Sequence, residues 1–111
     1  MSMQEPMKVG DKWVVDRDPD EISHYGADIT QELADRATTA ASVVLVLVGV
    51  AQVEQPEIVT ASMAGIERTY VVALLGPVAE DPPDDWKWVA RVTCVNGERF
   101  DKTTWFNKVD P

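Results

Sequence analysis

Two side chains in this sequence are suited to covalent chemistry, and each type occurs once: the thiol of Cys94 and the imidazole of His24. A thiolate becomes a catalytic nucleophile only when a base and an orienting group lie within hydrogen-bond reach. His24 stands beside Tyr25 and upstream of Asp28, and no local motif draws it towards Cys94. The expected reading is a surface or half-buried histidine at a bend. A single cysteine also excludes an internal disulfide and a cysteine-based zinc cluster, and it fits assembly in a reducing cytoplasm. Asp16, Asp18 and Asp20 have the alternate spacing that opens a calcium loop. The pattern then fails, because Glu21 occupies the place of the sharp-turn glycine and Ala27 that of the bidentate glutamate. A solvated turn is expected there. The six glycines never cluster, so no phosphate-cradling loop is present. No catalytic residue, cofactor or metal is therefore assigned, and the chain is not expected to be an enzyme.

Four tryptophans remain: Trp13, Trp86, Trp88 and Trp105. Indole rings on a β-face can stack sugars, fill a core or anchor a protein interface. Trp88 and Trp105 are expected in the core and Trp86 on a contact surface; a carbohydrate-binding platform is the alternative.

Charge narrows the partners. Nineteen acidic residues against ten basic ones leave a formal charge of −9. That field repels polyphosphate and anionic lipid, so specific nucleic-acid binding and membrane-surface binding are both disfavoured. The most apolar run, Val43 to Ala51, is nine residues long, against roughly 20 for a helical membrane span. Residues 1–10 contain no apolar signal-peptide region. A soluble chain of 111 residues is expected to form one domain able to bury about two thirds of its surface.

The elements that must carry these side chains read as β throughout. Residues 1–10 are aperiodic and are expected to form a flexible arm, ahead of a domain over 11–111. Lys12 to Asp16 is a short β-branched and aromatic strand, and Asp16 to Glu21 a turn. Ile22 to Ile29 extends again, with Gly26 as a bend or bulge. Thr30 to Ala37 reads as one helical turn or a loop, with Thr30 a candidate cap. Thr38 to Val48 is the strongest β signal, expected as a central strand covered on both faces or as one with a face at a subunit contact. Ala51 to Ser62 offers one or two strands broken by Pro56, and Thr69 to Leu75 another, closed by Gly76-Pro77. The Ala79–Asp85 loop is acidic and carries two consecutive prolines. Trp86 to Val95 and Glu98 to Val109 flank Asn96-Gly97, which suits a type I′ hairpin. In the first of these strands Trp88, Ala90, Val92 and Cys94 share one face. About seven strands with regular turn signals predict an all-β, immunoglobulin-like antiparallel sandwich without a disulfide.

Asp16-Arg17-Asp18-Pro19-Asp20-Glu21-Ile22, then Tyr25-Gly26 and Asp28-Ile29, resembles the opening of short phage virion proteins of the fibre–tail adaptor type. In that family a Lys-Asp-Pro-Asp-Glu stretch precedes a Tyr and an Asp-Trp pair; here Arg17 replaces the lysine and Ile29 the tryptophan. Val89-Ala90-Arg91-Val92-Thr93, Asn96-Gly97-Glu98-Arg99 and Asp101-Lys102-Thr103-Thr104 resemble its closing hairpin, while the Val43–Val48 middle departs from the pattern. The resemblance implies a structural virion component, assembled in the host cytoplasm, that joins other phage proteins of the tail, neck or fibre. Copies in a symmetric ring would suit that role. A capsid decoration protein is the nearest alternative. Asp18, Pro19, Asp20, Glu21, Tyr25 and Trp86 are the candidate partner contacts, and the Asp18–Glu21 turn reads equally well as a turn specific to the fold.

Overall fold

Strand alternation sets which side chains meet between the sheets. In β8 (Lys87–Cys94), Trp88, Ala90, Val92 and Cys94 are all buried in the core, whereas Arg91 is exposed. The pattern expected from the sequence is thus realised. The computed structural model describes residues 3–18, 21–77 and 82–108. Those residues form nine strands and one six-residue helix: β1 (Met7–Val9), β2 (Lys12–Arg17), β3 (Ser23–Asp28), α1 (Thr30–Asp35), β4 (Ala40–Val48), β5 (Ala51–Gln52), β6 (Glu57–Met63), β7 (Ile66–Gly76), β8 and β9 (Arg99–Lys108). The all-β class is as expected, with nine strands in place of about seven.

Two sheets share one hydrophobic core. The five-stranded sheet runs β1-β2-β9-β8-β4; in the other, β7 pairs with β3 along one edge and with β5 and β6 along the opposite one. Pairing is antiparallel except between β2 and β9. Val15, Trp88, Ala90, Val92, Cys94 and Phe100 from the first sheet meet Tyr25, Ala27, Val71, Ala73 and Leu75 from the second. Ile29 and Leu33 close one end of this core. Helix α1 has no side-chain cap of its own; Asp28 Oδ1 accepts the Thr30 N–H at 2.9 Å, and Thr30 Oγ1 accepts the Thr69 N–H at 2.9 Å.

Four local expectations change. First, β4 is an edge strand rather than a central one, because β8 is its only sheet partner among the described residues. Its continuous apolar run hid the alternation: Val43, Leu45 and Leu47 pack on the core, while Val44 and Val46 are 63% and 37% exposed. Second, the β8–β9 reversal is a three-residue loop. Gly97 donates to the Cys94 carbonyl at 3.0 Å and has φ 92°, Cys94 donates to the Glu98 carbonyl at 2.7 Å, and Asn96 lies outside the positive-φ region. This is a tight turn followed by a glycine bulge rather than type I′. Asn96 Oδ1 accepts the Glu98 N–H at 3.1 Å and holds that shape.

Third, Gly26 is neither bend nor bulge. It sits in unbroken register opposite Val72, and the Met3 sulfur fills the space a Cβ would need. Fourth, the segment expected as a flexible arm lies along the sheets from residue 3 onward. Gln4 bridges in parallel to Tyr25, donating to the His24 carbonyl and accepting from Gly26, each at 2.9 Å, and β1 then pairs with β2. Open backbone groups on the β3 edge supply the partners that the aperiodic sequence did not advertise.

Candidate protein-interaction face

The turn between β2 and β3 brings several sequence-selected residues together, but facing inward. Glu21 donates its N–H to the Asp18 carbonyl at 3.0 Å. Its carboxylate accepts the Tyr25 hydroxyl on one oxygen and the Gln4 amide, at 2.9 Å, on the other. Burial disfavours the charged carboxylate; even so, the hydrogen bonds from Tyr25, Gln4 and Ser23 and the field of Arg17 hold its pKa below 4.5. The Tyr25 phenol moves the other way: burial and the adjacent Glu21 push it well above its ordinary value. Pro19 and Asp20 lie outside the described residues.

Arg17 explains the rest of this cluster. Its residue is wholly buried, and its guanidinium lies 5.1 Å from the Tyr25 ring, 5.2 Å from Phe106 and 5.8 Å from Trp86. The Phe106 ring in turn packs at 5.3 Å from Tyr25 and 4.9 Å from Trp86. Nη2 of Arg17 donates to the carbonyls of Gly76 and, at 3.0 Å, Glu21. The aromatic faces offset part of the cost of desolvating this charge. Tyr25 and Trp86, expected at a partner contact, are 0% and 3% exposed and spend their ring faces on this internal cation. Sequence reasoning missed Arg17, Gln4 and Phe106 as members; Arg17 was expected in the Asp16–Glu21 turn, whereas β2 extends through it and turns its side chain inward.

Cys94 and His24 are not brought together. Cys94 is buried between the sheets, whereas His24 alternates with the buried Tyr25 and lines a small surface hollow with Glu54, Gln55, Glu57 and Leu74. Asp16 accepts the Asn107 amide at 3.1 Å.

The outside of the five-stranded sheet is different in kind. One row of paired residues crosses all five strands as Met7, Val14, Trp105, Lys87 and Val48. The neighbouring rows place Val9 opposite Lys12, and Val46 opposite Val89 and then Thr103. Met7 is 74% exposed and Val9 60%, in addition to Val44 and Val46. An open groove of about 760 Å³ follows Met7, Val9 and Val14 to Asp16 and Asn107. Trp105 lies half-buried at the centre, with Lys12 Nζ 4.6 Å and Lys87 Nζ 4.5 Å from its ring.

No protein family, curated protein or solved structure matches the chain.

A second half-buried indole, Trp13, lies in a cleft near α1. Lys8 and Lys102 stand 5.2 Å and 4.8 Å from its ring, and Lys102 bonds Glu32 at 2.6 Å. Arg68 pairs with Asp28 nearby at 2.9 Å. Two of the cations here are thus paired within the molecule, whereas Lys8 has no ion-pair partner among the described residues. On the outer sheet face the apolar surface is open, and β4, which borders it, carries neither charge nor proline to blunt its edge.

Proposed function

We propose that this chain is an immunoglobulin-like β-sandwich that works as a binding module, a structural component of a phage particle joining other tail, neck or fibre proteins. Strand order supports the fold. With β2, β3, β4, β6, β7, β8 and β9 taken as strands A to G, the sheets contain B-E-D and C-F-G, the adjacency of immunoglobulin-type sandwiches. Strand A departs from the constant-type arrangement by pairing with G.

The observation that carries the binding reading is the open apolar face of the five-stranded sheet, with Val44, Val46, Met7 and Val9 exposed on one surface. These exposed residues flank the half-buried Trp105 from both edges of the sheet, and exposed apolar surface gathered on one face favours a site where another molecule sits. Both half-buried indoles, Trp13 and Trp105, have lysine ammonium groups over their rings, which favours a protein partner over a stacked sugar. The particle assignment rests on the resemblance of the Asp16–Ile22 and Val89–Thr104 segments to fibre–tail adaptor proteins. Copies in a symmetric ring fit that assignment.

Gold-labelled antibody against the chain, applied to virus particles purified from cells that express it, tests the reading. Label confined to tail or neck is the expected result. Unlabelled particles, with the chain recovered free, would rule out the virion role.

A further inference from the structure

The outer face of the five-stranded sheet differs from the rest of the molecule in charge as well as polarity. By register it carries Lys12, Lys87, Arg91 and Arg99 against only Asp16 and Asp101. Four cations against two carboxylates leave a surplus of two positive charges on a chain whose total is −9. Arg91 and Asp101 cancel each other through paired bonds of 3.0 Å and 3.2 Å. Lys12 and Lys87 have no ion-pair partner among the described residues, and both lean on Trp105. Around them lie Val14, Val46 and Met7.

From this arrangement we infer that the face docks an acidic segment of a partner protein, with Trp105 as the apolar anchor and Lys12 and Lys87 as the groups that meet its carboxylates. The inference deepens the binding-module reading and rests on it. Charge complementarity selects the occupant. A second copy laid face to face would set Lys12 and Lys87 against their own counterparts, and like charges across an interface are costly. Nucleic acid would meet few cations here and the negative field of the remaining surface. An acidic strand or loop with alternating apolar residues would meet lysines at its carboxylates and valines and an indole between them. Aromatic anchors ringed by weaker contacts are where interface energy concentrates.

The test uses the full chain with poly-L-glutamate as probe, read by isothermal titration at low and physiological salt. Two variants change the net charge equally: Lys12→Gln with Lys87→Gln on the face, and Gln52→Glu with Gln55→Glu on exposed positions elsewhere. Binding by the unaltered chain should weaken with salt and fall about tenfold in the lysine pair, with less than about twofold loss in the control pair. Trp105→Ala should weaken it further in a salt-independent way. Circular dichroism confirms that each variant is folded. The inference is overturned if poly-L-glutamate fails to bind, if both pairs lose affinity equally, or if duplex DNA or phosphatidylserine vesicles bind as tightly. None of those results touches particle labelling. Conversely, unlabelled particles would leave an acidic-segment site on this face standing.

Discussion

Outward residues fare differently on the two sheets. On the smaller sheet, Tyr70 and Val72 alternate with the core residues Val71 and Ala73, so by register they point away from the core; yet they are only 5% and 4% exposed. Chain from elsewhere covers them: Met3 rests over Gly26, opposite Val72, Glu5 stands near Tyr70, and the Val53 N–H bonds the Leu74 carbonyl at 3.0 Å. On the larger sheet the corresponding positions Val44 and Val46 remain open. The same residue type at the same phase of a strand is thus core on one side and surface on the other. The middle of the smaller sheet is covered by its own chain, although Ile66 at its end is 57% exposed; on the larger sheet Val44 and Val46 are open, although Val89 beside them is only 7% exposed.

The sharpest break in this comparison is Val72→Asp. A carboxylate in that covered site has no cation to meet it, and the loss should reach about 3 kcal/mol or more in a denaturant melt. A variant as stable as the parent would mean the covering segment is not seated. Removing residues 1–6 comes next. It deletes two backbone hydrogen bonds of Gln4 and its amide bond to Glu21, at about 1 kcal/mol each, so stability should drop by about 2–3 kcal/mol. The domain should still fold, because no core residue precedes Val15.

Acid should act through the same seam. The Glu21 and Asp28 carboxyls are both held below their ordinary values of 4.5 and 3.8, despite burial, by the hydrogen bonds and cations around them. A depressed carboxyl stabilises the fold above its unfolded value and loses that contribution as pH falls through its folded one. The melting temperature should therefore hold at neutral pH and decline below about pH 4.5. Glu21→Gln should be less stable at neutral pH by about 1 kcal/mol and show a shallower acid decline. An unchanged acid profile would remove Glu21 from this role. Smallest of all should be Val44→Asp on the open face, within about 0.5 kcal/mol of the parent. That contrast with Val72→Asp is the comparison in its simplest form.

Much of this architecture was legible in advance, for reasons that differ by element. Strand β8 could be read because Trp88, Ala90, Val92 and Cys94 alternate with Lys87, Arg91 and Thr93, with Val89 the one apolar residue in the outward phase. The β8–β9 hairpin was located by Asn96-Gly97, although its loop length was not. Strand β4 could be placed but not oriented, since Val43 to Val48 is apolar in both phases. The open face was foreshadowed only as a possible subunit contact of that run. Lys12, Lys87 and Trp105 were not legible as a group: Lys87 meets Trp105 across the β8–β9 hairpin, but Lys12 joins them only through the parallel β2–β9 pairing.

Sequence alone settled the local questions. Side-chain alternation, turn residues and the excess of acid determined the β class, the inward face of β8, the place of the hairpin and the sign of the overall charge, because each depends on neighbours along the chain. Tertiary structure decided which outward residues are covered, why Trp86 is buried around Arg17 while Trp105 meets solvent, and where the cations gather. Those outcomes depend on which strand lies beside which and on what the arm and loops lie across. Period-two alternation defines two faces for every strand and does not say what covers either.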